Sequence, residues 1–334
     1  MKKILALLLC VLLVFGMTAC GGNEEAPAED APLIVLITDT GGLGDESFND
    51  AAWAGCEKAK TDFGVETQVI ESASSDDYLP NISAAVEAGA DLIICNGFLM
   101  AEATQQGAEQ YPEQAFALID SSVEAKNVAA LTFSEQEGSF LVGIVAAMTS
   151  QTDIIGFVGG MQFPLIEKFQ YGFEAGVKSV KPDAQVLVNY TQSFSDAALG
   201  KENALAQNKL GTDVIYHASG GCGIGVIQAA GEQGFWAIGV DQDQSALDPE
   251  HVLCSMIKRV DTATYNAIKE VVEGTFDGSP IEFTLADEGV GVSDKAGNVP
   301  EDVMSAVDEW AAKIISGELV VPYDAETYEA FMAE

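Results

Sequence analysis

Wholly apolar runs alternate with amphipathic stretches along most of the chain. The run over 33–37 (LIVLI) breaks the polar/apolar alternation of a half-buried strand, so it reads as a strand covered on both faces of a parallel sheet. The same reasoning predicts strands over 33–38, 65–70, 92–95 and 115–119, with helices near 49–63, 78–88 and 101–111 between them. A run over 128–133 and a helix near 138–148 follow, and the pattern then restarts. Its second pass has strands over 154–158, 185–188, 214–217 and 236–240, with helices near 164–180, 197–210 and 225–233. A strand over 252–258 and a helix near 262–274 come next. The remainder, 283–291 and a helix near 303–316, has no place in the repeat and is expected to cross back. Two series of βα units predict an α/β fold of two doubly wound parallel-sheet domains, hinged around a cleft. The expected division is 33–132 plus 261–280 for the first domain and 133–260 plus 281–334 for the second.

Ligands in such folds bind past the carboxyl ends of the strands, which singles out the loop over 38–50 (TDTGGLGDESFND). It carries Asp39 at the strand tip, Phe48 ahead of the helix, and three glycines between them. The two series end alike: Leu118-Ile119-Asp120 and Gly239-Val240-Asp241 each put a carboxylate just past a strand. An aspartate after a strand is often a turn former or helix cap. Three of them at the ends of apolar strands point instead to one shared cleft. Lys258 closes a further strand in a chain with only 15 basic residues. Phe194 and Tyr216, at strand ends of the second series, are candidate stacking walls opposite Phe48, though a strand-end aromatic taken singly usually packs in the core.

Composition narrows the function. The start of the chain has Lys2 and Lys3, an apolar stretch over 4–15, and small residues before Cys20, which is a secretory leader at 1–19. The cysteine directly after Thr18-Ala19 resembles a bacterial lipobox, implying cleavage before Cys20 and lipidation of its thiol. The segment 20–32 is small, acidic and Pro-containing, as a tether would be. Without the leader's two lysines, 13 basic residues face 52 acidic ones, a net charge of −39. Nucleic acid is therefore excluded as a partner, because phosphate backbones need clustered Lys and Arg. Cys56, Cys95, Cys222 and Cys254 are scattered, so buried thiols are expected, with a disulfide left open. Two histidines make no metal centre, and neither metal nor cofactor is expected. The glycines over 220–225 have G-x-G-x-G spacing, which is not the dinucleotide fingerprint, and neither a P-loop nor a nucleophile elbow is present.

Six stretches together resemble the basic membrane protein family of lipoproteins, the purine nucleoside receptor type of substrate-binding protein. They are 38–49 (TDTGGLGDESFN), 135–143 (EQEGSFLVG), 172–177 (GFEAGV), 220–226, 238–244 (IGVDQDQ) and 255–261 (SMIKRVD). The resemblance implies a type I periplasmic-binding-protein fold and no enzymatic activity. It further implies capture of purine nucleosides of the adenosine, guanosine and inosine class, and delivery to the permease and ATPase of an ABC importer. The protein would be a monomer held by its lipid on the extracytoplasmic face of the membrane. By resemblance, Asp39 and Asp120 contact the base, Phe48 and Tyr216 stack on it, and Asp241 and Lys258 hold the ribose. Asn49, Phe194 and Gly221 complete the implied pocket. Tyr216 stands where the family has Phe, His217 where Gln is familiar, and Cys222-Gly223-Ile224 where Thr-Gly-Asn is common. These departures border the expected pocket. A sugar-binding protein of the same fold, a sensory or adhesive lipoprotein, and an NAD-linked enzyme using the 220–225 turn are the alternatives.

Overall fold

A computed structural model describes residues 31–333. The secretory leader, Cys20 and most of the tether lie outside the described residues. Strands β1 (Leu33–Thr38), β2 (Glu66–Ile70), β3 (Leu92–Asn96), β4 (Ala115–Ile119), β5 (Val128–Phe133) and β11 (Ile281–Phe283) form the first sheet, in the order β11-β5-β4-β3-β1-β2. Strands β6 (Ile154–Gly159), β7 (Gln185–Tyr190), β8 (Val214–Ala218), β9 (Trp236–Asp241), β10 (Val252–Lys258) and β12 (Val290–Ser293) form the second, in the order β12-β10-β9-β8-β6-β7. Every pairing is parallel except β10 with β12. The apolar runs of β1, β3 and β4 are buried on both faces, as their lack of alternation requires, while β2 and β7 occupy edges and keep exposed positions.

Helices α1 (Phe48–Phe63), α2 (Tyr78–Glu87) and α3 (Ala101–Gln110) belong to the first lobe, joined by α8 (Val260–Glu273), which packs on α1. Helices α4 (Glu135–Thr149), α5 (Pro164–Val180), α6 (Ala197–Lys209), α7 (Cys222–Gln233) and α9 (Glu301–Ile315) belong to the second, with α10 (Ala325–Met332) lying against α5. The chain passes between the lobes after β5, after β10 and between β11 and β12. This last crossing departs from the expected division at 280/281, because β11 pairs with β5 in the first sheet. Two elements differ from expectation in kind. The stretch over 283–291, expected only to cross back, joins two short strands in different sheets, β11 and β12, and α10 has no counterpart in the predicted series. Three-residue and four-residue strands give too few positions for a period to show.

Candidate functional site

The strand ends of both sheets converge on one cleft. It encloses about 520 Å³ of space, its open mouth included, within the roughly 300–1,000 Å³ usual for small-molecule sites. Asp39 past β1, Asp120 past β4, Asp241 at the end of β9 and Lys258 at the end of β10 all line it, with Phe48, Asn49 and Phe194. Seven of the nine candidates from the sequence therefore line a single cleft. Asp120 and Asp241, matched by position in the two series, also share a left-handed backbone, with φ of 68° and 67°. Such φ values are uncommon outside glycine and gather at sites that need a side chain aimed in a particular direction.

Two candidates fall elsewhere. Tyr216 is fully buried, its ring against Phe157 and Phe173 and its hydroxyl 3.1 Å from Ser139 Oγ. It is a core residue and not a wall of the cleft. Two residues short of the end of β8, its side chain points into the layer between sheet and helices, and burial of a large ring outweighs a role at the lip. Gly221 lies just behind the wall, where its neighbour Gly220 is the lining residue. His217 and Cys222 are likewise buried behind the surface and do not line the cleft. His217 meets Gln244 at 2.8 Å, and burial lowers its pKa to about 4, so it is neutral.

The aromatic walls are Phe48 with Phe98, Phe169 and Phe194. Phe98 stacks on Phe163 across the mouth, with ring centroids 4.6 Å apart, and meets Phe194 edge-on at 6.0 Å. Phe194 lies flat against Gly160, where there is no room for a Cβ. Phe98, Phe169 and Ser219 went unseen in the sequence. Phe169 sits on an amphipathic helix, where a cleft-facing ring and a core ring have the same spacing. The glycines over 220–225 serve packing more than any phosphate: Gly223 abuts the His217 ring, and Gly225 abuts the Ala197 carbonyl of α6.

Hydrogen bonds fix the opening loop. Asp45 accepts from the backbone N–H groups of Ser47 and Asn49 at 2.9 Å and of Asp50 at 3.2 Å, so its carboxylate satisfies the first turn of α1. Asn49 donates to Asp39 at 3.0 Å and to Asp45 at 3.2 Å, and accepts from Asn96 at 2.9 Å. Across the lobes, Ser47 donates to Asp241, and Gln244 donates to the Glu46 carbonyl at 2.8 Å. The decisive contact is ionic. Lys258, 2% exposed, places its ammonium 2.6 Å from Asp120 and 3.3 Å from Glu135, whose other oxygen meets Lys168 at 3.0 Å. The same ammonium lies over the rings of Phe133, Phe48 and Phe169 at 4.9, 5.1 and 5.5 Å. Lys258 and Asp120, which the resemblance implies as sugar and base contacts, thus form one ion pair where the two lobes meet.

Burial raises Asp39 to about 6 despite its bond from Asn49, and raises Asp241 to about 7 despite Lys258 and Ser47. Asp120 also stands at about 6, since burial outweighs an ammonium shared with Glu135 and Asp241. For Lys258 burial works the other way, but Asp120, Glu135 and Asp241 hold its pKa above the usual value. An aspartate raised above its unfolded value binds its proton more tightly in the folded state. Its protonated form stabilises the fold at low pH, and that contribution is lost as pH climbs from about 4 through 6 to 7. Lys258 stays charged throughout this window. The protein is therefore expected to be more stable at pH 5.5 than at pH 7.5, by about 1–3 kcal/mol. Urea unfolding in the two buffers measures this; stability that rises across the interval contradicts the buried, raised aspartates.

Comparison with known proteins places this geometry. Residues 33–325 match the family model for Bmp, described as ABC transporter substrate-binding protein PnrA-like. The chain belongs to that family. A CD4+ T-cell-stimulating antigen of Listeria innocua is 35% identical over 352 residues, spanning 96% of this chain and 99% of that protein. A Lactococcus lactis protein named ABC transporter nucleoside-binding protein BmpA is 36% identical over 310 residues, spanning 86% and 88% of the two chains. Among solved structures, an ABC transporter solute-binding protein from Aeropyrum pernix K1 superposes with a TM-score of 0.82 at 33% identity, covering 90% of this chain and 96% of that one. The family and the Aeropyrum pernix structure are solute-binding proteins and not enzymes, and the fold is that of periplasmic-binding proteins. No helix among the described residues is long and apolar enough to cross a membrane.

Proposed function

We propose that this substrate-binding protein captures purine nucleosides and hands them to the permease and ATPase of an ABC importer, held by a lipid on Cys20 at the outer face of the membrane. The observation that carries the ligand is the cleft itself: aromatic rings at Phe48 and Phe194 line it together with Asp39, Asp120, Asp241 and Lys258. Flat faces suit a base, and base–aromatic stacking is worth about 1–3 kcal/mol per base. Carboxylates accept from hydroxyls and amino groups, and a hydrogen bond to a charged group adds about 1.5–3 kcal/mol. Net of the costs of closure, micromolar or tighter binding follows. The similarity to a relative named for nucleoside binding supports the same reading.

Charge sets the boundary of the ligand class. Asp120, Glu135 and Asp241 gather around the Lys258 ammonium, and Asp39 and Asp45 add two more carboxylates to the cleft lining, so a phosphate would enter a field of its own sign. Calorimetry with adenosine, guanosine and inosine is expected to show saturable binding by at least one of them. The corresponding monophosphate should bind at least a hundredfold more weakly, and free ribose or galactose should not compete. Absence of heat and of thermal stabilisation with all three nucleosides sinks the purine assignment; competition by a free sugar transfers it to a sugar ligand.

A further inference from the structure

Buried polar atoms in folded proteins nearly always have hydrogen-bond partners, and one without is destabilising. Among the described residues, two side-chain atoms on the cleft wall are buried without a hydrogen bond, Asp120 Oδ1 and Ser219 Oγ. Asp120 is answered by charge, since the Lys258 ammonium is 2.6 Å from that oxygen. Ser219 is not answered at all. The residue is 1% exposed, and its backbone is committed, its carbonyl accepting from the Cys222 N–H at 3.1 Å. The other neutral polar side chain lining the cleft, Asn49, has both ends of its amide occupied by Asp39, Asp45 and Asn96. Ser219 therefore offers the cleft a hydroxyl that can both donate and accept, beside carboxylates that accept and an ammonium that donates.

The strand order groups Ser219 with the residues to which the family resemblance assigns the ribose. Ser219 follows β8, Asp241 ends β9 and Lys258 ends β10, three neighbouring strands of the second sheet. Asp39 and Asp120 come from the first sheet. We propose that Ser219 is a ligand contact that determines sugar specificity, its hydroxyl pairing with a ribose hydroxyl that Asp241 and Lys258 bracket from the adjacent strands. This rests on the nucleoside reading and names a residue that reading did not use. A hydroxyl that costs stability inside the protein and gains a partner from the ligand has a distinctive signature: removing it should move stability and affinity in opposite directions.

Ser219→Ala makes the test, because it deletes only the oxygen. The ligand-free variant is expected to melt at the same temperature as the wild type or slightly above it. Its affinity for the parent nucleoside should fall about two- to tenfold, the usual worth of one neutral hydrogen bond. Calorimetry with the 2′-, 3′- and 5′-deoxy forms of that nucleoside then closes the cycle. One of the three should bind wild type and Ser219→Ala equally well, while the other two keep the full difference. Unchanged affinity of the variant for the parent nucleoside overturns the proposal. So does a loss of equal size for the parent and all three deoxy forms, which would place the hydroxyl's effect away from the sugar. A variant that melts well below wild type also overturns it, by giving Ser219 a structural partner. Failure of the wild type to bind any purine nucleoside removes the nucleoside reading itself; wild-type binding with an indifferent variant removes Ser219 alone.

Discussion

Gly176→Val is expected to destabilise the protein by about 3 kcal/mol or more and to weaken ligand binding with it. Helices α4 and α5 approach backbone to backbone through Gly143, Gly172 and Gly176. A Cβ on Gly176 would run into the Phe140 carbonyl, one on Gly172 into the Gln136 carbonyl, and one on Gly143 into the Phe173 carbonyl. Side chains can turn away from an intruding methyl, but a helix carbonyl cannot, so the helices must separate. The separation reaches the cleft, because the first turns of α5 supply Leu165, Ile166 and Phe169 to its wall, and α4 begins at Glu135 beside Lys258. Gly291→Ala is the control: that glycine has open space around it and should tolerate a methyl with little change. Urea unfolding of both variants decides the matter, and similar losses at the two positions would remove close helix packing as the cause.

The same glycines show what the sequence made legible and what it hid. The stretch 172–177 (GFEAGV) was readable as part of a family resemblance, but its physical reason, a backbone-to-backbone contact between the successive helices α4 and α5 of the second lobe, needed the structure. Continuous apolar runs made the parallel strands visible, and once strands were placed, Asp39, Asp120, Asp241 and Lys258 fell at their ends by position alone. What sequence could not separate was a ring facing the cleft from a ring facing the core. Tyr216 and Phe194 both lie near strand ends of the second lobe, yet one packs on Phe157 and Phe173 while the other rests on Gly160 in the cleft. Every position of β8 is buried, so no alternation of polar and apolar residues marks which face Tyr216 takes. Here β8 runs to Ala218, one residue past the expected limit. Phe169 and Ser219 were hidden for related reasons. The first shares its helical spacing with core residues, and the second is a small polar residue in a glycine turn, where a turn former is unremarked.

Lys258 is where fold and ligand binding meet, and its replacement should be the most costly single change in the cleft. Lys258→Met keeps the length of an unbranched side chain and removes the charge. The variant is expected to lose measurable nucleoside binding and about 3–5 kcal/mol of stability at pH 7.5, the usual cost of leaving a buried charge without its partner. Without the ammonium, Asp120, Asp241 and Glu135 remain together out of water with nothing to oppose them but Lys168 at the far side of Glu135. Asp120 and Asp241, already raised to about 6 and about 7, would rise further once the charge that lowers them is gone. At pH 5 they are protonated in the variant and the penalty shrinks, so most of the lost stability should return on acidification while binding does not. A second substitution separates charge from packing. Asp120→Asn in the Lys258→Met background removes one of the stranded carboxylates and should restore part of the stability at pH 7.5, again without restoring binding. Equal destabilisation at pH 5 and pH 7.5, with no recovery from Asp120→Asn, would mean that the lysine supports the lobe interface through its apolar stem between Phe48, Phe133 and Phe169 and that its charge is incidental.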